Sequence, residues 1–233
     1  MFRRRRQDSG DQQGPLWHDP EVEADPASAG PWDIADDYPQ AERVDCGSLL
    51  VPVREGFEVQ INVAEEQGAW VAVVQGEAGM QLQAFAAPRS GVLWDDVRQE
   101  IAANITETGG SCEEGRGPVG IALHGRVPLG EQYGSAGRLQ PVTFLGFDGP
   151  RWFLRGVISG PAAADASAGA AFYDLFSDVV VVRGDYPAPP RELLEIRLPD
   201  EARDAIEAEL AADDRGWDLT DLFTRGPTIT ETR

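Results

Sequence analysis

The sequence predicts an α+β fold, an antiparallel sheet with about three flanking helices and disordered termini. Several short segments alternate apolar and polar residues, as half-buried strands do. These segments are grouped, and two of them flank Asp148–Gly149, which argues for hairpins rather than parallel crossovers. Other segments, 91–107 foremost, carry apolar residues at helical spacing.

Residues 1–38 combine Gly, Pro, Gln and acids with isolated aromatics behind Arg3–Arg6, the composition of a disordered tail that is basic and then acidic. Trp17 and Trp32 are its candidate docking anchors. A single domain is expected over 39–212, with recognisable folding from Val44 onward and a frayed tail over 213–233. Leu49, Val51 and Val53 alternate with Leu50, Pro52 and Arg54, and Pro52 restricts this strand to an edge because it lacks a ladder donor. Phe57 to Val63 alternates cleanly, Gly68 breaks it, and Trp70–Val74 and Met80–Ala86 follow as strands. Ser90 is the expected N-cap of the helix 91–107, with Asp95 and Asp96 in its first turn and Leu93, Val97, Ile101 and Ile105 along one stripe. Ser111–Gly117 reads as a Gly- and Glu-rich loop.

Val119–Val127 is a strand with His124 and Arg126 on its polar phase. Val142–Phe147 and Arg151–Ile158 flank Asp148–Gly149, the pattern of a type I′ hairpin. Ala162–Ser177 is a helix weakened at Gly169, and Val179–Val182 a short central strand. Pro187–Pro190 is a stiff linker, and Glu201–Ala212 the last helix.

Charge limits function more than it assigns it. Forty acids against twenty bases give −20 at neutral pH, and all twenty bases are Arg. Such a chain repels phosphate backbones, so nucleic acid is not an expected partner over any broad face. No run of apolar residues is long enough to span a membrane, and no apolar stretch follows Arg3–Arg6, so a cytoplasmic chain is expected. Cys46, Cys112, His18 and His124 lack metal-ligand spacing, and no cofactor is expected. Without Lys, neither a Schiff base nor a P-loop is available. Cys112 beside Glu113 and Glu114 faces a raised thiol pKa, which disfavours a nucleophilic thiolate. The pairs Asp95–Asp96 and Glu113–Glu114 read as solvated faces or caps, and Arg183-Gly184-Asp185 as a strand end in which Arg183 pairs with Asp185.

One segment stands out. In Gly149–Pro161, period two puts Arg151, Phe153, Arg155 and Val157 on one face, so that two guanidinium groups flank an aromatic ring. With Arg89 and Arg183 they form a candidate anion site for an acidic peptide or a small anionic molecule. Internal pairing with the abundant acids is the competing explanation.

The runs Gly79-Met-Gln-Leu-Gln-Ala-Phe-Ala-Ala-Pro-Arg89, Phe144-Leu-Gly-Phe-Asp-Gly-Pro-Arg-Trp-Phe-Leu-Arg-Gly-Val-Ile-Ser-Gly-Pro161 and Val179-Val-Val-Val-Arg-Gly-Asp185 resemble an actinobacterial family known as domain of unknown function 3710, over residues 40–200. The family carries no established activity, so the resemblance implies an intracellular bacterial protein and no catalytic residue. More loosely, the order of elements is similar to the α+β class of secretion chaperones.

The expected function is a non-enzymatic protein-binding or adaptor domain, chaperone-like, that uses its sheet face or the groove beside helix 91–107. The alternative is an enzyme or sensor that holds a small anion through Arg89, Arg151, Arg155 and Arg183. An acidic mimic of nucleic acid is a third.

Overall fold

The computed structural model describes residues 30–64, 68–128 and 138–199. Among the described residues eleven strands form two sheets, with three helices. The larger sheet has the order β4(Glu58–Ala64), β5(Gly68–Gln75), β6(Ala78–Ala86), β10(Trp152–Ser159), β9(Leu139–Gly149), β8(Gly120–Pro128), β7(Ser111–Gly117), and all its pairings are antiparallel. The smaller has the order β1(Trp32–Asp33), β11(Val180–Val181), β3(Leu49–Pro52), β2(Arg43–Asp45). The helices are α1(Trp94–Glu107), α2(Pro161–Ala164) and α3(Ala166–Ser177). The α+β class holds, with two sheets where one was expected. No helix among the described residues is long and apolar enough to cross a membrane.

The main core lies between the larger sheet and a layer made of α2, α3 and the smaller sheet. Val59, Ile61, Val71, Val73, Met80, Leu82, Leu145, Trp152, Leu154 and Ile158 face Leu49, Val51, Phe172, Leu175, Phe176 and Val181 across it. Each large side chain buried this fully stabilises the fold by about 1.5–3 kcal/mol. The opposite face of the larger sheet is covered over only part of its width. There α1 crosses β7, β8 and β9, and Leu93 and Trp94 close over Phe153.

Several expectations change. The tail expected over 1–38 is ordered at its end: Trp32–Asp33 pairs in parallel with Val180–Val181, and Trp32 N donates to Val179 O at 2.9 Å. Folding therefore begins before Val44, in segments too short to show a period. β3 lies inside its sheet, yet Pro52 is tolerated because β11 pairs only Leu49 and Leu50 and leaves the end of β3 free. Ser111–Gly117 is a strand and not a loop, because β8 supplies a full ladder to residues of poor strand propensity. His124 is 2% exposed and not on an outer face, its Nδ1 lying 3.0 Å from Thr143 Oγ1. The helical segment 162–177 breaks at Asp165 and not at Gly169, since Asp165 turns extended and its carboxylate accepts from Ser167 N and Ala168 N. The helix expected over 201–212 and the tail 213–233 lie outside the described residues, as does Trp17.

The hairpin is the most instructive change. Gly149 pairs with Trp152, so Pro150 and Arg151 are the central residues of the turn, and Arg151 takes φ 67°. Proline followed by a positive φ is the pattern of a type II turn, not type I′. This frees Asp148 for another task. Its carboxylate accepts from Leu93 N at 2.6 Å and Trp94 N at 3.1 Å, so it caps α1 from a distant strand where Ser90 was the expected cap.

Asp148→Ala is therefore expected to lower stability by about 1–2 kcal/mol, read as a shift in urea midpoint. A midpoint equal to the parent's would show that the cap does not hold α1. Arg151→Gly is expected to leave stability unchanged or raise it by up to about 1 kcal/mol, because glycine adopts positive φ without cost. A clear loss in Arg151→Gly would contradict the turn assignment.

Candidate functional site

The half of the larger sheet that α1 leaves uncovered carries the candidate site. On β4, β5, β6 and β10 the residues alternating with the core point to this side. They are Gln60 and Asn62, Trp70, Ala72 and Val74, Gln81, Gln83 and Phe85, and Arg155 and Val157. Val97 and Ile101 of α1 pack with Phe85, Ala87 and Phe144 around the Leu93, Trp94 and Phe153 cluster, which borders this surface. Arg191 pairs with Glu100 at 2.8 Å, and Arg191 N donates to Ala86 O at 2.8 Å, so the chain after Pro190 is tied to both α1 and β6 at one end.

Arg155 occupies β10, the strand at the margin of this surface, directly across from Gln83. Its Nη2 donates to Gln83 Oε1, and its guanidinium lies 5.3 Å from the centre of the Phe85 ring. Gln83 is 5% exposed, and its Nε2 donates to Ala69 O at 3.2 Å, which fixes which end of the amide meets Arg155. Arg155 is thus held by a neutral amide and a ring, and among the described residues no carboxylate pairs with it. Burial pulls its pKa below the usual arginine value, with no acid to raise it again. It stays protonated at neutral pH all the same.

The other arginines differ. Arg98 is 7% exposed, donates to Glu114 Oε1 at 2.7 Å and Asp95 Oδ1 at 2.9 Å, and lies over the Trp94 ring. Asp95 and Glu114, expected in solvated faces or caps, do stay largely exposed, and they also clamp this buried cation, which ties α1 to β7. Arg54 pairs with Asp178, and Arg197 with Glu195.

The five residues singled out in the sequence do not gather in one cleft. Arg151 is in the turn and not on β10, so it shares no strand face with Arg155. Phe153 is 2% exposed and stacks 6.1 Å from Trp94, a core residue where an exposed ring was expected. The reason is α1, which covers the face that period two leaves to solvent. Arg89 is exposed beyond the end of β6. Arg183 follows β11, in the layer behind the sheet, and donates to Gly184 O at 3.2 Å and Tyr186 O at 2.8 Å instead of pairing with Asp185. Arg155 alone keeps the position that the pattern assigned to it. Gln83 and Phe85, which orient it, belong to the quoted run 79–89, but only the cross-strand register reveals their role.

Neither thiol is activated. Burial, helped by Asp45, pushes Cys46 from 9.0 up to about 12, and burial with Glu114 also raises Cys112. Because the folded state holds Cys46 protonated while the unfolded thiol ionises near its ordinary value, stability is expected to fall as pH rises from 9.0 toward 12. In alkaline unfolding titrations, Cys46→Ala should flatten that part of the curve; an unchanged slope would assign the loss to other groups.

Among curated proteins and solved structures, none matches the chain. A family model described as protein of unknown function (DUF3710) matches residues 30–205, which begins at the first described residue and spans both sheets and all three helices. The chain belongs to the DUF3710 family.

Proposed function

We propose that this chain is a non-enzymatic binding domain that docks an acidic segment of a partner protein on the open half of its larger sheet, with Arg155 as the anchor for a carboxylate. The observation that carries the proposal is Arg155 itself: a half-buried guanidinium, oriented by Gln83 and Phe85, with no acid paired to it among the described residues. A guanidinium presents five donors, and one goes to Gln83, which leaves donors for a planar carboxylate. Trp70, Val74 and Val157 lie on the same side of the sheet and supply apolar area for the residues flanking that carboxylate.

A small anionic ligand fits less well. Arg151 lies four residues from Arg155, about 13 Å along an extended chain, and Arg183 belongs to another layer. A single cation with an apolar surround suits a peptide better than a multiply charged small molecule. The net charge of −20 supports a protein partner over nucleic acid. Two unpaired cysteines and a base content that is entirely Arg support placing the chain in the cytoplasm of an actinobacterium.

The test is a tagged pull-down from native lysate, read by mass spectrometry, with the parent, Arg155→Met and Arg89→Gln side by side. Arg155→Met is expected to keep or raise the melting temperature, since it removes a desolvated cation without stranding an acid, and to lose the captured partner. Arg89→Gln should keep it. Capture that survives in Arg155→Met would remove the anchor, and a melting temperature lowered by several degrees would make Arg155 structural.

A further inference from the structure

The larger sheet ends in two strands of unlike character. β7 reads Ser-Cys-Glu-Glu-Gly-Arg-Gly, an edge interrupted by charges and glycine. β4 reads Glu-Val-Gln-Ile-Asn-Val-Ala, seven residues with regular pairing to β5 and a single charge at the first position. Among the described residues nothing pairs with its outer edge. Native sheets normally blunt such an edge with Lys, Pro, a bulge or a covering segment, because its free N–H and C=O groups template another strand. β4 carries no Lys, Pro or bulge. Val63 adds a 54% exposed apolar side chain near its end.

We infer that β4 is a self-association edge, pairing antiparallel with β4 of a second copy about a two-fold axis through Ile61. The occupant follows from the sequence of the strand. In this register Ile61 meets Ile61 of the copy, Val59 meets Val63, Gln60 meets Asn62 and Glu58 meets Ala64. Val59, Ile61 and Val63 each face an aliphatic residue, the amides Gln60 and Asn62 face each other, and no two like charges oppose each other. A shift of the register by a single residue would set Gln60 opposite Val63 and turn apolar side chains toward the polar face. Val59 and Ile61 belong to the main core, so pairing makes the cores of the two copies continuous and covers Val63. The symmetry is isologous, as a closed dimer requires.

A seven-residue strand pair is small beside the roughly 1,200–2,000 Å² of a stable complex, so the dimer is weak, with dissociation in the range of tens to hundreds of micromolar. Two chains of −20 repel each other, so association strengthens with salt as the Debye length falls from about 30 Å at ~0.01 M to about 3 Å at ~1 M. This inference does not rest on the Arg155 reading. Dimerisation would carry the open face across the axis and place two Arg155 groups on one surface.

Analytical ultracentrifugation of the full chain tests it. The expected mass moves from 25.2 kDa toward twice that with concentration, and more so at high salt. Gln60→Lys with Asn62→Lys should weaken dimerisation by about tenfold or more, because each Lys then faces another across the axis. Gln60→Glu with Asn62→Glu should do the same, and mixing the two variants should restore a heterodimer. In the parent, amide exchange across residues 58–64 should slow as concentration rises. A chain that stays monomeric at several hundred micromolar and high salt overturns the inference. So does a dimer that the charge variants form unchanged, or amides at 58–64 protected equally at every concentration, which would put another segment of the same chain on the edge. The exchange measurement stands even if a charge variant fails to fold.

Discussion

Trp152, Phe153 and Leu154 are consecutive in one strand, and all three are buried. Successive side chains of a strand point to opposite faces, so β10 must be covered on both sides, and the rest of the architecture answers that demand. Trp152 and Leu154 fill the core against α2, α3 and the smaller sheet. Phe153 needs a second cover, and α1 provides it through Leu93 and Trp94. A helix laid across a sheet must have its first N–H groups satisfied, and Asp148, on the neighbouring strand directly opposite Phe153, meets them. Gly146 leaves the gap into which the Trp94 indole descends, because a Cβ there would meet the ring. Arg98 then fastens the helix to β7 through Glu114.

The same demand defines the site. α1 reaches Phe153, at the start of β10, and Phe85 of β6, while its main contacts are with β7, β8 and β9 rather than with β4 and β5. Arg155 therefore lies where a covered half-sheet meets an open one. Its guanidinium is desolvated enough to strengthen any contact it makes and accessible enough to be reached. The aromatic ring and amide that hold it limit its rotamers, so less conformational entropy is lost when a ligand arrives.

How much of this the sequence discloses depends on whether a residue's setting is local. The strands 58–64, 68–75, 78–86 and 120–128 follow from alternation because each has one core face, and α1 follows from its apolar stripe. Position 155 was assigned to the correct face for that reason. The failures share one cause, which is contact from distant elements. Phe153 has the period of an exposed residue and is buried by Leu93 and Trp94, from a helix start far earlier in the chain. Asp148–Gly149 looks like a turn because that dipeptide suits one, yet the aspartate caps α1 and the turn falls two residues later, where Pro150 fixes φ. Ser111–Gly117 has a loop's composition and becomes a strand because β8 pairs with it. β1 has only two residues and no periodicity to read. Gln83 and Phe85 orient Arg155 across β6 and β10, a register that alternation within either strand does not contain.

Arg155 is set apart from the arginines that this fold pairs with acids, since among the described residues no carboxylate forms a salt bridge with it. The buried Arg98 has two acids, Asp95 and Glu114, whereas the half-buried Arg43 and Arg183 donate to backbone carbonyls. With two acids for every base, a carboxylate near Arg155 would be easy to place, and the desolvated charge would then be compensated. Among the described residues Arg155 instead meets the Gln83 amide and the Phe85 ring, and burial lowers its pKa. An uncompensated, oriented cation costs stability in the free protein and gains it back when an anion arrives from outside. On the docking proposed above Arg155 is such a cation, with stability given up for binding.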